Sequence, residues 1–181
     1  MLRDNQGGTM RPMRLGKRAV TDPAQIRAII EACQVLRLGV VDAEGMFIVP
    51  VNFGYVWEAD QALPCFYLHS AREGRKADAF YAGGDRGVPV AFELDCDRGN
   101  IVGDYSCAYS RSYASIMGNG TVRAVEDETE RRCALERIME HAAPGVAASF
   151  SPEGLARVAI FRLDANELTA KERKQKENRE P

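Results

Sequence analysis

The chain has 181 residues, 45% of them hydrophobic and 28% charged, with a formal net charge of -2. That length suits one domain around one core, the apolar share excludes a wholly disordered chain, and the charge balance gives no global attraction to nucleic acid or an anionic membrane. The five cysteines, Cys33, Cys65, Cys96, Cys107 and Cys133, include no CxxC pair, which argues against a disulfide framework and a zinc site and for a reducing, cytoplasmic setting.

Residues 1–18 are glycine-rich, polar and basic without apolar periodicity, so the expectation is a mobile tail over roughly 1–20, with neither a signal peptide nor a membrane span. Thr21 or Asp22 can cap a helix with Pro23 in its first turn, and Ile26, Ile29, Ile30 and Cys33 then share a face. Residues 35–42 (VLRLGVVD) alternate, 42–45 offer turn residues, and 46–53 resume as a second strand, together a β-hairpin. Pro50 inside that second strand lacks the amide hydrogen of a central ladder, which predicts an edge or bulged strand with backbone groups left for another partner.

CFYLH at 65–69 reads as a strand, SAREGRKADAFYA turns helical near Gly74, and VPVAFELD at 88–95 is a strand with Val90, Phe92 and Leu94 on its core face. Residues 99–112 show weak periodicity and read as a long loop, and 113–125 return to strand with Gly118 and Gly120 at close-approach positions. Residues 127–142 form an amphipathic helix with Cys133, Leu135, Ile138 and Met139 apolar, 157–163 alternate as a closing strand, and a charged tail follows from about 170. Strands this frequent, joined mostly by turns too short for βαβ crossovers, predict an antiparallel barrel with peripheral helices over 21–169. No GxGxxG follows a strand, so a Rossmann reading fails.

The strongest chemical constellation is His69, Ser70, Ala71, Arg72, Glu73, Gly74, Arg75 and Lys76, which gathers a hydroxyl, cations and helix-start amides as a phosphate site does. A solvated, charged turn explains the same residues equally well. His69 ends an apolar strand and is a candidate acid, base or ligand contact, while His141 suits a helix C-terminus. With two histidines and no matching Cys or carboxylate spacing, no metal site is expected. Cys107 reads as an ordinary buried thiol, and Tyr105, Tyr109 and Tyr113 as core or interface in preference to ligand contacts.

Three segments in this order, IVPVNFGY at 48–55, FYLHSAREGRK at 66–76 and SYASIMGNG at 112–120, resemble the pyridoxamine 5'-phosphate oxidase-like flavin-binding split-barrel superfamily and, within it, the 5-nitroimidazole-resistance branch. The likeness spans most of 21–169. It implies a mainly β (α+β) antiparallel split β-barrel, a homodimer with FMN at the subunit interface, and a small-molecule substrate, with no nucleic-acid or membrane partner. By the same resemblance Val49, Pro50, Val51 and Asn52 run beside the isoalloxazine, Ser70, Arg75 and Lys76 hold phosphate, and His69 lies by the flavin or substrate as the candidate catalytic residue. Tyr113, Ser115 and Ile116 of the second copy complete the pocket. The implied activity is FMN-dependent reduction, on compounds of the 5-nitroimidazole type; Asn119 departs from the apolar residue expected between the two glycines. The alternatives are a pyridoxamine 5'-phosphate oxidase-like enzyme, for which no second phosphate cluster is visible, and a non-catalytic flavin- or haem-binding protein.

Overall fold

A computed structural model describes residues 13–175. The basic tail predicted over roughly 1–20 falls on 1–12, outside the described residues, only in part, since Gly16–Arg18 form a 3-10 turn and Ala19–Val20 a paired strand; the end of the predicted charged C-terminal tail, 176–181, also lies outside them. The described residues divide into two compact units, Gln34–Leu94 with Met117–Leu168, and 13–33 with Asp95–Ile116 and 169–175.

The larger unit is antiparallel where its strand registers are resolved. It contains β2 (Leu36–Asp42), β3 (Gly45–Val51), β4 (Phe53–Val56), β5 (Cys65–Ala71) and stretches of β6 (Val88–Ile101), β7 (Ser110–Ala124) and β8 (Val158–Arg173). Their hydrogen-bonded order is β3-β2-β6-β7-β8-β5-β4. The two ends of that order, β3 and β4, are consecutive in the chain with Asn52 alone between them. The sheet therefore returns to its own starting edge without pairing there, which makes it a split barrel.

Pro50 sits opposite Arg37 in the β2–β3 ladder, and among the described residues β3 has no other neighbour. The edge placement expected of a proline strand is what the fold adopts. Inside the barrel wall Leu36, Leu38, Phe53, Phe66, Leu68, Leu94 and Phe161 are fully buried. Phe66 meets Phe53 edge-on at 5.9 Å and Phe92 at 5.5 Å. The expected core face of β6 is confirmed, with Val90, Phe92 and Leu94 all buried.

Helix α2 (Arg75–Tyr81) follows β5 through Gly74, whose φ of 105° is one that L side chains avoid. Helix α3 (Glu128–Ala142) is capped by the Asp127 carboxylate, which accepts from the Glu130 amide at 2.8 Å. It buries Ala134, Leu135 and Ile138 against Cys65, Tyr67, Val125 and Ile160. Its backbone at Arg137 and Ile138 comes so close to Gly54 that no Cβ fits there. A short α4 (Pro152–Arg157), not foreseen in the sequence, begins at the Ser151 cap.

The smaller unit holds β1 (Ala19–Val20), α1 (Pro23–Ala32) and the outer stretches of the three long strands. Asp22 caps α1 by accepting from the Ala24 amide at 3.1 Å, Pro23 opens the helix, and Ile26, Ile29, Ile30 and Cys33 are buried as their spacing predicts. β1 pairs with β8 through Ala19 with Lys171 and Val20 with Ala170.

Here the structure corrects two expectations. The long loop over 99–112 shrinks to 102–109, because β6 continues to Ile101 and β7 starts at Ser110. Likewise β8 continues to Arg173, so residues 170–173 are strand and not tail. These extensions are held by polar side chains, Arg111 on Asp97 and Asn100, and Arg98 on Glu172, which leave no apolar alternation to read.

Candidate functional site

Strand β5 ends in Leu68-His69-Ser70-Ala71, and α2 begins five residues after Ser70. The turn carried by Gly74 brings Lys76 near enough for its charge to act on His69. Burial pushes the His69 imidazole below its usual value, and the nearby Lys76 ammonium pushes it further the same way. Lys76 is itself shifted down by burial. His69 is therefore neutral at pH 7, and its Nδ1 is buried with no hydrogen-bond partner among the described residues. A buried imidazole nitrogen without a partner is uncommon, since buried polar atoms are nearly always satisfied.

The remaining predicted residues separate. Ser70 is 8% exposed and donates to the Ala71 carbonyl; as the residue after His69 on a strand it faces the side of Phe66 and Leu68. Arg75 does not aim at the His69–Lys76 pair. Its Nε donates to Asp42 Oδ2 at 2.7 Å, its Nη2 to Asp42 Oδ1 at 2.8 Å and to the Gly45 carbonyl at 3.3 Å. Along β3, Val49 is half-buried, Pro50 exposed and Val51 buried, with exposed Asn52 at the split.

Tyr113, Ser115 and Ile116 lie in the smaller unit. Tyr113 and Ser115 share the half-exposed face of β7, whereas Ile116 is 0% exposed and points the other way. Burial opposes ionisation of the Tyr113 phenol, but hydrogen bonds from Arg18 and Lys171 outweigh it and lower its pKa. Neither cation was singled out from the sequence, because their distance along the chain leaves no local pattern.

The aromatic and cysteine expectations change. Tyr105 and Tyr109 are 69% and 57% exposed, so neither is core, and Cys107 is exposed, not buried. All three lie in or beside the short 102–109 connection between β6 and β7. His141, in the last turn of α3, has its ring 4.2 Å from that of Phe53. Cys65 is a buried thiol that burial pushes up to about 11, which makes it a poor nucleophile.

A polar network unforeseen in the sequence ties α3 to the sheet. Glu130 accepts from the Tyr67 hydroxyl at 2.9 Å and from Arg162 Nη1 at 3.0 Å, and Arg162 Nε donates to Asp164 at 2.6 Å. These partners are 32 to 63 residues apart in the chain or bound through one shared arginine, so no spacing rule exposes them.

On the outer face of the larger unit an open depression of about 860 Å³ is lined by Gly39, Val41, Met46, Phe47, Ile48 and Asn119 among others. Val41, Met46 and Ile48 there are 65%, 85% and 73% exposed. Asn119 hydrogen-bonds Glu167, which gives this polar residue a local partner at the rim. No group of histidine, cysteine and carboxylate side chains suited to a metal occurs among the described residues, and no helix there is long and apolar enough to cross a membrane.

Residues 22–172 match the family model described as pyridoxamine 5'-phosphate oxidase, and the chain belongs to that family. Among solved structures it is similar to a candidate 5-nitroimidazole antibiotic resistance protein from Bacteroides thetaiotaomicron VPI-5482, at 29% identity and TM-score 0.67, covering 84% of this chain and 85% of that one. It shares its fold with the flavocytochrome Anf3 from Azotobacter vinelandii, at 19% identity and TM-score 0.71 over 90% and 72% of the two chains. A FAD and haem binding protein from Mycobacterium smegmatis has the same fold at 18% identity and TM-score 0.71, with 89% and 76% covered. No curated protein sequence matches.

Proposed function

We propose that the protein is an FMN-dependent oxidoreductase that reduces small nitroaromatic compounds of the 5-nitroimidazole type. The observation that carries this reading is the end of β5, where a neutral His69 with a buried, unpartnered Nδ1 stands beside a partly desolvated Lys76. A phosphorylated, flat heteroaromatic fits such residues. Lys76 supplies a charge-assisted donor for a phosphate dianion, with the Ser70 hydroxyl turning to it from the Ala71 carbonyl. The free edge of β3 offers the backbone of Val49, Val51 and Asn52 to the polar rim of a ring, and Pro50, with no amide to donate, keeps the edge from pairing with another strand. His69, as a neutral imidazole, then orients the substrate through a hydrogen bond.

A bound flavin would supply electron transfer; the chain supplies binding and orientation. The similarity to the Bacteroides protein supports the nitroimidazole branch, and the flavin and haem proteins of the same fold support a cofactor of this kind. A cytoplasmic homodimer completes the reading, with Tyr113 and Ser115 of a second copy closing the pocket and Ile116 seating their strand from the core side. The exposed Val41, Met46 and Ile48 support such a partner.

The test is anaerobic reduction of FMN-loaded protein followed by addition of a 5-nitroimidazole. Reoxidation with loss of the nitro absorbance is expected, and a His69→Gln variant is expected to keep FMN while slowing that step. Loaded protein that never passes electrons to any nitroaromatic acceptor would contradict the assignment.

A further inference from the structure

Arg75 and Lys76 are adjacent, yet consecutive residues of a helix point about 100° apart and do not face one another. Lys76 is partly buried and its charge acts on His69 of β5. The Arg75 guanidinium instead spans the β2–β3 turn with two parallel bonds to Asp42, at 2.7 and 2.8 Å, and a third to the Gly45 carbonyl at 3.3 Å. Asp42 also accepts from the Glu44 amide at 2.9 Å, and Glu44 Oε2 stands 3.9 Å from Arg75 Nε. The same guanidinium lies over the Phe47 ring, 4.3 Å from its centroid. Phe47 and Val49 alternate with Ile48 and so share one face of β3.

From this geometry we infer that Arg75 is a positioning residue and not a phosphate ligand: it clamps the Asp42–Gly45 turn and roofs Phe47, fixing edge strand β3 relative to the start of α2. The inference rests on the flavin reading above. β3 is hydrogen-bonded along one side only, so its free edge is the least constrained part of the proposed ring site. A bidentate, stacked arginine supplies the missing constraint, and lysine, a point charge without a planar fork, cannot bond both Asp42 oxygens in parallel while lying flat on the ring. Lys76 is left as the cation for the phosphate.

FMN and riboflavin differ by the phosphate, and their affinities, measured by flavin fluorescence titration, separate the two roles. If Arg75 positions β3, Arg75→Gln, Arg75→Lys and Asp42→Asn each weaken FMN and riboflavin by the same factor, about 3- to 10-fold given an exposed pair plus a cation–π contact. The Asp42→Asn/Arg75→Gln double variant then loses no more than either single one. Asp42→Asn is decisive, because it frees Arg75: unchanged or tighter FMN binding in that variant, or losses confined to FMN in Arg75→Gln, would overturn the clamp and make Arg75 a phosphate ligand. Wild-type binding with all variants unchanged overturns the clamp alone. Wild-type protein that binds neither flavin overturns the flavin reading and this inference with it.

Discussion

Lys76 is partly withdrawn from water on the same short helix whose preceding residue, Arg75, stays at the surface, so the two cations answer differently to substitution and to pH. Lys76→Ala is expected to weaken FMN by about 10- to 100-fold, the loss of one charge-assisted bond of roughly 1.5–3 kcal/mol, while leaving riboflavin nearly unchanged. Its pKa is depressed in the free protein, so the ammonium is lost at lower pH than an ordinary lysine. FMN affinity should therefore fall, with riboflavin affinity flat, as pH rises through that lowered value. For His69 the sign runs the other way. Its folded pKa is depressed, so the unfolded chain takes up a proton first; the stabilisation is present above the ordinary histidine value of about 6.5 and lost as pH falls through the folded value. Urea unfolding between pH 5 and 8 should show a pH slope in wild type that His69→Gln lacks. The closeness of His69 and Lys76 is legible in the sequence because they are seven residues apart on one strand–turn–helix segment. The partner of Arg75 is not, since Asp42 lies 33 residues away.

At the scale of elements, chain chemistry announced itself where a local rule applies and failed where tertiary polar contacts take over. Pro50 marked an edge strand, Asp22 and Pro23 marked the start of α1, and the apolar spacing of α1 and β6 marked their buried faces. The outer parts of β6, β7 and β8 carry arginine and carboxylate pairs instead of alternating apolar residues, so their length was hidden. The contact of α3 with β4 was equally invisible, although Gly54 is the residue that permits it. A Gly54→Ala substitution places a methyl group into the backbone of Arg137 and Ile138, and a loss of about 1–3 kcal/mol in urea unfolding is expected. Asp127→Ala, which removes the cap of α3, is expected to cost about 1 kcal/mol in the same measurement.

For the whole molecule the resemblance foresaw the split barrel, and the strand order shows how the split arises: β3 and β4 are neighbours in the chain and opposite ends of the hydrogen-bonded path. Nothing in a single sequence states which surface meets a second copy, because that depends on side chains from β2 and β3 converging on one outer face. Val41, Met46 and Ile48 are exposed together on β2 and β3, and the homodimer proposed above would use them. An Ile48→Asp variant is expected to shift the molar mass from dimer toward monomer in light scattering and to lower FMN retention together with it. A dimeric mass unchanged by the substitution would move the interface elsewhere.

The proposed function requires a flavin phosphate held by Lys76 at the end of β5. Equilibrium dialysis of FMN against the wild-type protein and Lys76→Ala in phosphate-free buffer tests it most directly. One FMN bound per chain in wild type, with the affinity reduced about 10-fold or more in the variant, is the predicted result. Absence of binding in the wild type, or equal binding in both, would contradict it.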